Sequence, residues 1–411
     1  VKGEAAVDGL GKHRMGVARG VALGVAVSMI LVASCGSSGD DDTSVGADAP
    51  AETTVTTDVP VALDDYAWDQ VADGAPWGGR AGLRVVELGG DLLVLGGRTP
   101  KDSPIPGDSE LWGDVWQSAD DGVTWDQVTE TGDAFPARAY FQAVTLDGMV
   151  YVLGGQNFGL PSSTFFNDVW RSADGAEWEQ VTDDAPWAGR AGLMAAVLDD
   201  QIYVFGGSRN DDTAVVGPNG PAREYFNDVW RSADGAEWEE VAPSAPWEPR
   251  AGGAVVVKDD ELYLLGGEEG FVCSPQPDCE PPYFNDVWKT GDGETWDEVT
   301  PEAEWSARPG HQCELLDTTI VCFGGFGQPD NPVDMWASED GATWQLLPQS
   351  PWDAEGPDAV RYDFDSVAVQ GGPDGVPAIV TVGGDRETFD FTDPENYLRV
   401  EDDVWTFAAP G

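Results

Sequence analysis

Residues 167–190 read N-D-V-W-R-S-A-D-G-A-E-W-E-Q-V-T-D-D-A-P-W-A-G-R. The run returns almost unchanged at 227–250 and more loosely at 285–308. A β-patterned segment ending in Gly-Gly precedes each copy, as in Tyr151-Val-Leu-Gly-Gly, Tyr203-Val-Phe-Gly-Gly and Tyr263-Leu-Leu-Gly-Gly. Self-similarity of this kind marks a repeat architecture, in which one supersecondary unit buries its apolar face against the next.

Working outward, β-patterned runs end in Gly-Gly six times, at Gly96-Gly97, Gly154-Gly155, Gly206-Gly207, Gly266-Gly267, Gly324-Gly325 and Gly383-Gly384. Each is followed by an Asp-x-Trp, beginning at Asp114, Asp168, Asp228, Asp286, Asp334 and Asp403. Six copies mean six units. Each unit reads as four strands: a small-residue strand such as 191–198, a tight turn, a second strand ending at Gly-Gly, a variable loop, the Asp-x-Trp strand, a Ser-x-Asp-Gly turn, and a fourth strand such as 178–181. Asp147-Gly148 and Gly89-Gly90 can supply the positive dihedrals of a type I′ hairpin turn. Four-stranded antiparallel units repeated around an axis predict an all-β, six-bladed β-propeller. The last unit stops after its third strand, 403–408. Its missing fourth strand stands at the other end of the chain, where Trp68-Asp-Gln-Val71, Ala75-Pro-Trp77 and Arg80 match Trp178-Glu-Gln-Val181, Ala185-Pro-Trp187 and Arg190. The N-terminal strand is therefore expected to close the ring.

The Gly-Gly pairs, the tryptophans downstream and the arginine at each blade start make the chain from about residue 64 to 411 resemble a Kelch-repeat, galactose-oxidase-type propeller. Ser118-Ala-Asp-Asp-Gly-Val-Thr-Trp125 also resembles the Asp box of sialidase-type propellers, and the boxes at 172–178, 232–238 and 338–344 are one residue shorter. The resemblance implies a folding role for these boxes, away from any active site. Turn Asp and Gly are expected there on backbone grounds alone.

Ahead of the propeller, Lys12, His13, Arg14 and Arg19 precede an apolar run at about 21–33 that is too short to span a bilayer comfortably and fits an export leader. Val32-Ala33-Ser34-Cys35 resembles the lipobox of bacterial lipoproteins, which implies diacylation of Cys35. The alternative is an ordinary leader with an incidental cysteine; the polar stretch directly after Cys35 favours lipidation. Met15 is the expected start. The organisation expected is a signal peptide at 1–35, a disordered Gly/Ser/Asp/Thr/Ala/Pro tether at 36–62 that has too little apolar surface to order itself, and the propeller at 63–411. This places the protein outside the cell, lipid-anchored to the outer face of the cytoplasmic membrane, and touching the membrane only through its anchor.

The formal charge of the chain is −54. Such a field repels phosphate backbones, so nucleic acid is excluded as a partner. Five cysteines are present. The four after Cys35 are an even number in an exported chain, which favours disulfides. Cys313 and Cys322 flank a turn at Asp317-Thr318 and fall opposite each other at a non-hydrogen-bonded pair, where side chains approach most closely. Cys273 and Cys279 would close a short loop.

Strand direction puts the Gly-Gly ends, the Asp-x-Trp aspartates and the long connections 98–113, 208–227, 268–285 and 385–402 on one face, which is also the ligand face of Kelch-like propellers. Arg80, Arg138, Arg190, Arg250 and Arg308 stand at equivalent blade starts, with Glu355 at the sixth. They can form a cationic rim for a carboxylate-bearing sugar or acidic peptide. The alternative favoured here is that each pairs with a nearby Asp-x-Trp aspartate, since residues repeated with a fold usually serve it. Non-repeating residues on that face are the better ligand candidates: Arg98, Arg209, Glu268, Glu269, Phe271, Phe326, Arg386 and Tyr397, with His311 beside them. The tryptophans fall at repeat positions, Trp112 alone departing. His311 is the one histidine after the leader, which excludes His-rich metal centres, the copper chemistry of galactose oxidase, and any supported Ser-His-Asp triad. No cofactor or metal is expected. The function expected is a monomeric binding module for a cell-surface protein or glycan, without catalytic residues. The alternative is a carbohydrate enzyme such as a sialic-acid mutarotase (epimerase), with Glu268 beside Arg209 moving protons.

Overall fold

The computed structural model describes residues 63–102, 108–157, 163–209, 216–217, 220–221, 224–270, 282–369, 377–386 and 398–409. Six four-stranded antiparallel sheets carry the chain. Blade 1 consists of Arg84–Leu88, Asp91–Pro100, Ser109–Ser118 and Asp126–Thr129. Blade 2 consists of Gln142–Leu146, Met149–Leu153, Val169–Ser172 and Glu179–Thr182, and blade 3 of Met194–Leu198, Gln201–Phe205, Val229–Ser232 and Glu239–Ala242. Blade 4 is Ala254–Lys258, Glu261–Glu268, Tyr283–Thr290 and Asp297–Thr300, and blade 5 is His311–Leu316, Thr319–Gly324, Met335–Ser338 and Gln345–Leu346. Blade 6 joins Asp365–Val369, Ala378–Val382 and Val404–Ala408 to Ala67–Ala72 from the other end of the chain. Trp68 lies opposite Phe407 in that pairing, so the N-terminal strand closes the ring as the repeat arithmetic predicts.

Hydrophobic burial follows the same count. The described residues form six apolar clusters, each spanning one pair of neighbouring blades. Val204 of blade 3 packs with Leu153 of blade 2, for example, and Ile320 of blade 5 with Leu265 of blade 4. The burial that drives folding therefore lies between blades, and the axis is left as a channel. Trp77, Trp187, Trp247 and Trp305 meet Trp125, Trp238, Trp296 and Trp344 edge to face at 5.7–6.3 Å between centroids, a preferred aromatic geometry.

Local chemistry explains the turns. Asp147 and Gly148 both hold positive φ, 51° and 71°, as a type I′ turn requires. In the longest Asp box, Ser118 Oγ accepts the Gly122 N–H at 2.9 Å, Asp120 accepts the Thr124 N–H at 2.8 Å, and Trp125 Nε1 donates to the Gly122 carbonyl at 3.0 Å. The Thr124 hydroxyl, which donates to Asp120 at 2.6 Å, and then the Thr124 N–H hold the Asp120 carboxyl below its usual range. The box carboxylates are thus engaged by their own turns.

Three expectations need correction. The connection at 98–113 is in its described parts an extended hairpin, with Arg98 opposite Leu111 and Pro100 opposite Ser109 beyond a register shift at Leu95/Gly97. Trp112 does not depart from the repeat: it stacks over Arg80 as Phe166, Phe226 and Phe284 stack over Arg138, Arg190 and Arg250. The sixth blade-start position belongs to Arg361, not Glu355, because two short 3-10 turns, Pro351–Asp353 and Pro357–Ala359, lengthen that link. Cys313 and Cys322 are bonded as a disulfide, directly opposite each other across the hairpin. Cys35, Cys273 and Cys279 lie outside the described residues.

Candidate functional site

Each blade-start arginine meets an aspartate from the Asp-x-Trp strand of its own blade: Arg80 with Asp114, Arg138 with Asp168, Arg190 with Asp228, Arg250 with Asp286, Arg308 with Asp334 and Arg361 with Asp403. The pairing is the fork-to-carboxylate geometry that arginine alone can form. Arg190 donates to both Asp228 oxygens at 2.5 and 2.8 Å and to the Gly206 carbonyl at 2.9 Å. Burial pushes the Asp228 carboxyl up, but the guanidinium outweighs it and the group ends below its usual range. The main chain of the same arginine reaches the preceding blade, where Gly155 N–H donates to Arg190 O. These arginines tie blade to blade and form no open cationic rim.

Two residues further along, each link contributes one amide to a ring around the channel mouth. Gly82 N–H donates to Asp363 O, Tyr140 to Gly82, Gly192 to Tyr140, Gly252 to Gly192, Gly310 to Gly252 and Asp363 to Gly310, at 2.8–3.2 Å. All six hold positive φ between 52° and 64°. Four are glycine, for which this conformation carries no steric penalty. Tyr140 and Asp363 are not, and a non-glycine residue held in the left-handed region costs about 1–3 kcal/mol, a kind of strain that gathers at functional sites.

Those two exceptions stand among the non-repeating residues of the Gly-Gly face. Arg98 Nε donates to the Tyr140 hydroxyl at 2.8 Å, and its fork reaches Asp385 at 2.5 Å. Burial raises the Tyr140 hydroxyl pKa well above its ordinary value, with Asp363 and Asp385 adding to it against Arg98. Tyr362 stacks edge-on to Phe326 at 5.1 Å, and Phe326 to Tyr283 at 6.1 Å, so blades 6, 5 and 4 share one aromatic run. Tyr283 lies opposite Glu268 in the blade 4 hairpin, and burial followed by the Glu268 charge raises its hydroxyl pKa. In blade 3 the half-exposed Arg209 pairs with Glu224 at 2.8 Å and lies 5.9 Å from the Phe226 ring.

The sequence candidates thus separate. Arg98 and Phe326 belong to this cluster, as does the buried Glu268. Glu269 is exposed at the edge of blade 4, and Arg386 pairs with Glu401 beside Arg399. His311 is 2% exposed, 5.6 Å from the Trp305 ring, and burial followed by the Arg308 charge lowers its pKa to about 3, so it stays neutral as a packing residue. Phe271 and Tyr397 lie outside the described residues. Sequence reasoning missed Tyr140, Tyr283, Tyr362, Asp363 and Asp385. The available signal was the replacement of the glycine in Arg-Ala-Gly by Tyr140 and, in the lengthened link, by Asp363.

No group of three or more His, Cys, Asp or Glu among the described residues is arranged to hold a metal ion. No helix among them is long and apolar enough to cross a membrane.

The family model described as the KLHDC2/KLHL20/DRC7 Kelch-repeats domain matches residues 82–325, more than half of the chain. The chain belongs to the Kelch-repeat family. Over 221 residues this Kelch propeller is 28% identical to N-acetylneuraminate epimerase 2 of Escherichia coli O6:H1, a match covering 47% of the chain and 58% of that relative. The N-acetylneuraminate epimerase of Escherichia coli K12 is 27% identical over the same length, with the same shares covered. The chain therefore spans little more than half the length of these curated relatives. The solved structure of YjhT superposes with a TM-score of 0.58 at 16% identity, covering 83% of this chain and 100% of that one, a likeness of fold.

Proposed function

We propose that this Kelch propeller is a binding module, carried outside the cell on a lipid anchor at Cys35 and presenting its Gly-Gly face to a glycan or protein. One observation carries the reading. The only two non-glycine residues of the mouth ring, Tyr140 and Asp363, stand with Arg98, Asp385 and the Tyr362–Phe326–Tyr283 run, of which Tyr362 and Phe326 are buried and Tyr283 is partly exposed, so strained backbone, packed aromatic rings and paired charge meet on one face. Aromatic faces with a few fixed polar groups are the usual composition of a small-ligand site. The test is thermal unfolding of the full chain against acidic sugars, neutral sugars and acidic peptides. A ligand present at a hundred times its dissociation constant adds about 2.7 kcal/mol. Binding should weaken in Arg209→Ala and in Tyr283→Ala. A ligand that binds both variants as it binds the parent chain would place the site elsewhere.

A second reading, an N-acetylneuraminate mutarotase, is favoured by the names of the relatives. Glu268 would be its proton-transfer group, helped by Arg209. Proton NMR of N-acetylneuraminate anomer exchange tests it: acceleration by the parent chain that disappears in Glu268→Gln supports the enzyme, and no acceleration removes it.

A further inference from the structure

The axial channel is a cavity of about 580 Å³ walled by the first strands of all six blades. Its wall is two-sided. Blades 5, 6 and 1 line it with Gln312, Glu314, Asp365, Ser366 and Arg84, whereas blades 3 and 4 line it with Ala195, Val197, Ala254 and Val255. The polar side is preorganised by bonds that cross between blades. Ser366 Oγ donates to Glu314 Oε1 at 2.7 Å, Arg84 to Asp365 at 2.6 Å, and Gln312 Nε2 to Asp365 at 3.2 Å. Arg84 continues into blade 2 by donating to the Phe141 carbonyl at 2.6 Å. The repeat does not require this lacing, because blades 3 and 4 keep the fold with alanine and valine at the channel wall.

We propose that the channel itself, continuous at its mouth with Tyr140 and Asp363 of the Gly-Gly face, is a second binding site deeper along the axis, and that it takes a single uncharged polyhydroxylated ring. The polar arc of blades 5, 6 and 1 receives the hydroxyls, and blades 3 and 4 receive the C–H face.

Charge decides the class. Glu87, Glu314, Asp363 and Asp365 line the channel, and Arg84, already paired with Asp365, is the one arginine or lysine among the lining residues. An anion would enter a confined space lined by four carboxyl groups against one guanidinium, where the net repulsion is strong. An acidic sugar is thereby turned away from the channel, whatever the Gly-Gly face accepts. A neutral ring has the matching two-sided character, an apolar C–H face and a hydroxyl edge. Burial, then the Asp365 charge, raise Glu314 to a pKa of about 7, so near neutrality it offers a proton as well as an acceptor to a hydroxyl.

Isothermal titration of the full chain with glucose, galactose, N-acetylglucosamine, myo-inositol and N-acetylneuraminate is the test. At least one neutral probe should bind. Its affinity should fall about tenfold or more, 1.4 kcal/mol, in Ser366→Ala, which removes one polar-arc hydroxyl, and in Val255→Phe, which fills the apolar side. Thermal unfolding of each variant checks that the ring is intact, and Ser366→Ala decides alone if Val255→Phe does not fold. N-acetylneuraminate should not displace the neutral probe. The proposal falls if no neutral probe binds, if binding survives the folded channel variants unchanged, or if N-acetylneuraminate competes for the channel.

Discussion

At the scale of the residue, the blade-start arginines and Glu314 carry opposite lessons about buried charge. Arg250 is fully buried, donates to Asp286 at 2.5 and 2.8 Å and to the Gly266 carbonyl at 3.1 Å, and is covered by Phe284 at 4.1 Å. Removing one member of such a pair leaves the other charge stranded. Arg250→Met is expected to cost about 3–5 kcal/mol in urea unfolding. Arg250→Lys should recover only part of that loss, because an ammonium lacks the fork and the flat face. A lysine variant as stable as the parent would show that charge alone suffices. Glu314 is a carboxyl whose folded pKa, about 7, lies above its unfolded value. The folded state then holds the proton more tightly, so this residue's contribution to stability is full below the unfolded pKa, near 4.5, and is lost as pH rises through about 7. The loss amounts to about 3 kcal/mol. His311, with its folded pKa lowered to about 3, works in the other direction and loses stability as pH falls below its unfolded value. Comparing Glu314→Gln with the parent isolates the first effect: the difference in melting temperature should grow in favour of the variant from pH 5 to pH 8. Parallel profiles would mean that Glu314 does not titrate in this window.

At the scale of the element, the strand at Ala67–Ala72 matters most, because blade 6 has no other fourth strand. It pairs with Val404–Ala408 and sends Trp68 into the cluster between blades 5 and 6, together with Leu63 and Tyr66 from just upstream. Deleting residues 63–72 should expose a strand edge, open that cluster and lower the melting temperature sharply. An unchanged melt would contradict the closure. Strands and their turns were legible in the sequence because alternation, Gly-Gly and Asp-Gly act locally. The sixth arginine was not, since Pro351–Asp353 and Pro357–Ala359 move Arg361 out of the spacing its five counterparts keep. Trp112 looked exceptional because the role it fills is to cover a guanidinium, which Phe166, Phe226 and Phe284 do equally well. The channel wall left no local signature: Arg84 and Asp365 are 281 positions apart and meet only when the ring is closed.

At the scale of the whole molecule, six interblade clusters make stability a property of neighbours, while closure removes the free end units that an open array would have. The ring of amides at the mouth has a further consequence for recognition. In a helix, aligned peptide dipoles accumulate and end in bare N–H and C=O groups that draw anions and cations. Here six donors and six acceptors run head to tail in a circuit, each amide of the ring engaged by the next. A circuit of dipoles has no poles, so the partial charges that a helix end would offer are turned along the rim. The entrance of this propeller is electrically quiet at its backbone. Whatever it tells apart there, it must tell apart with the side chains of Tyr140 and Asp363.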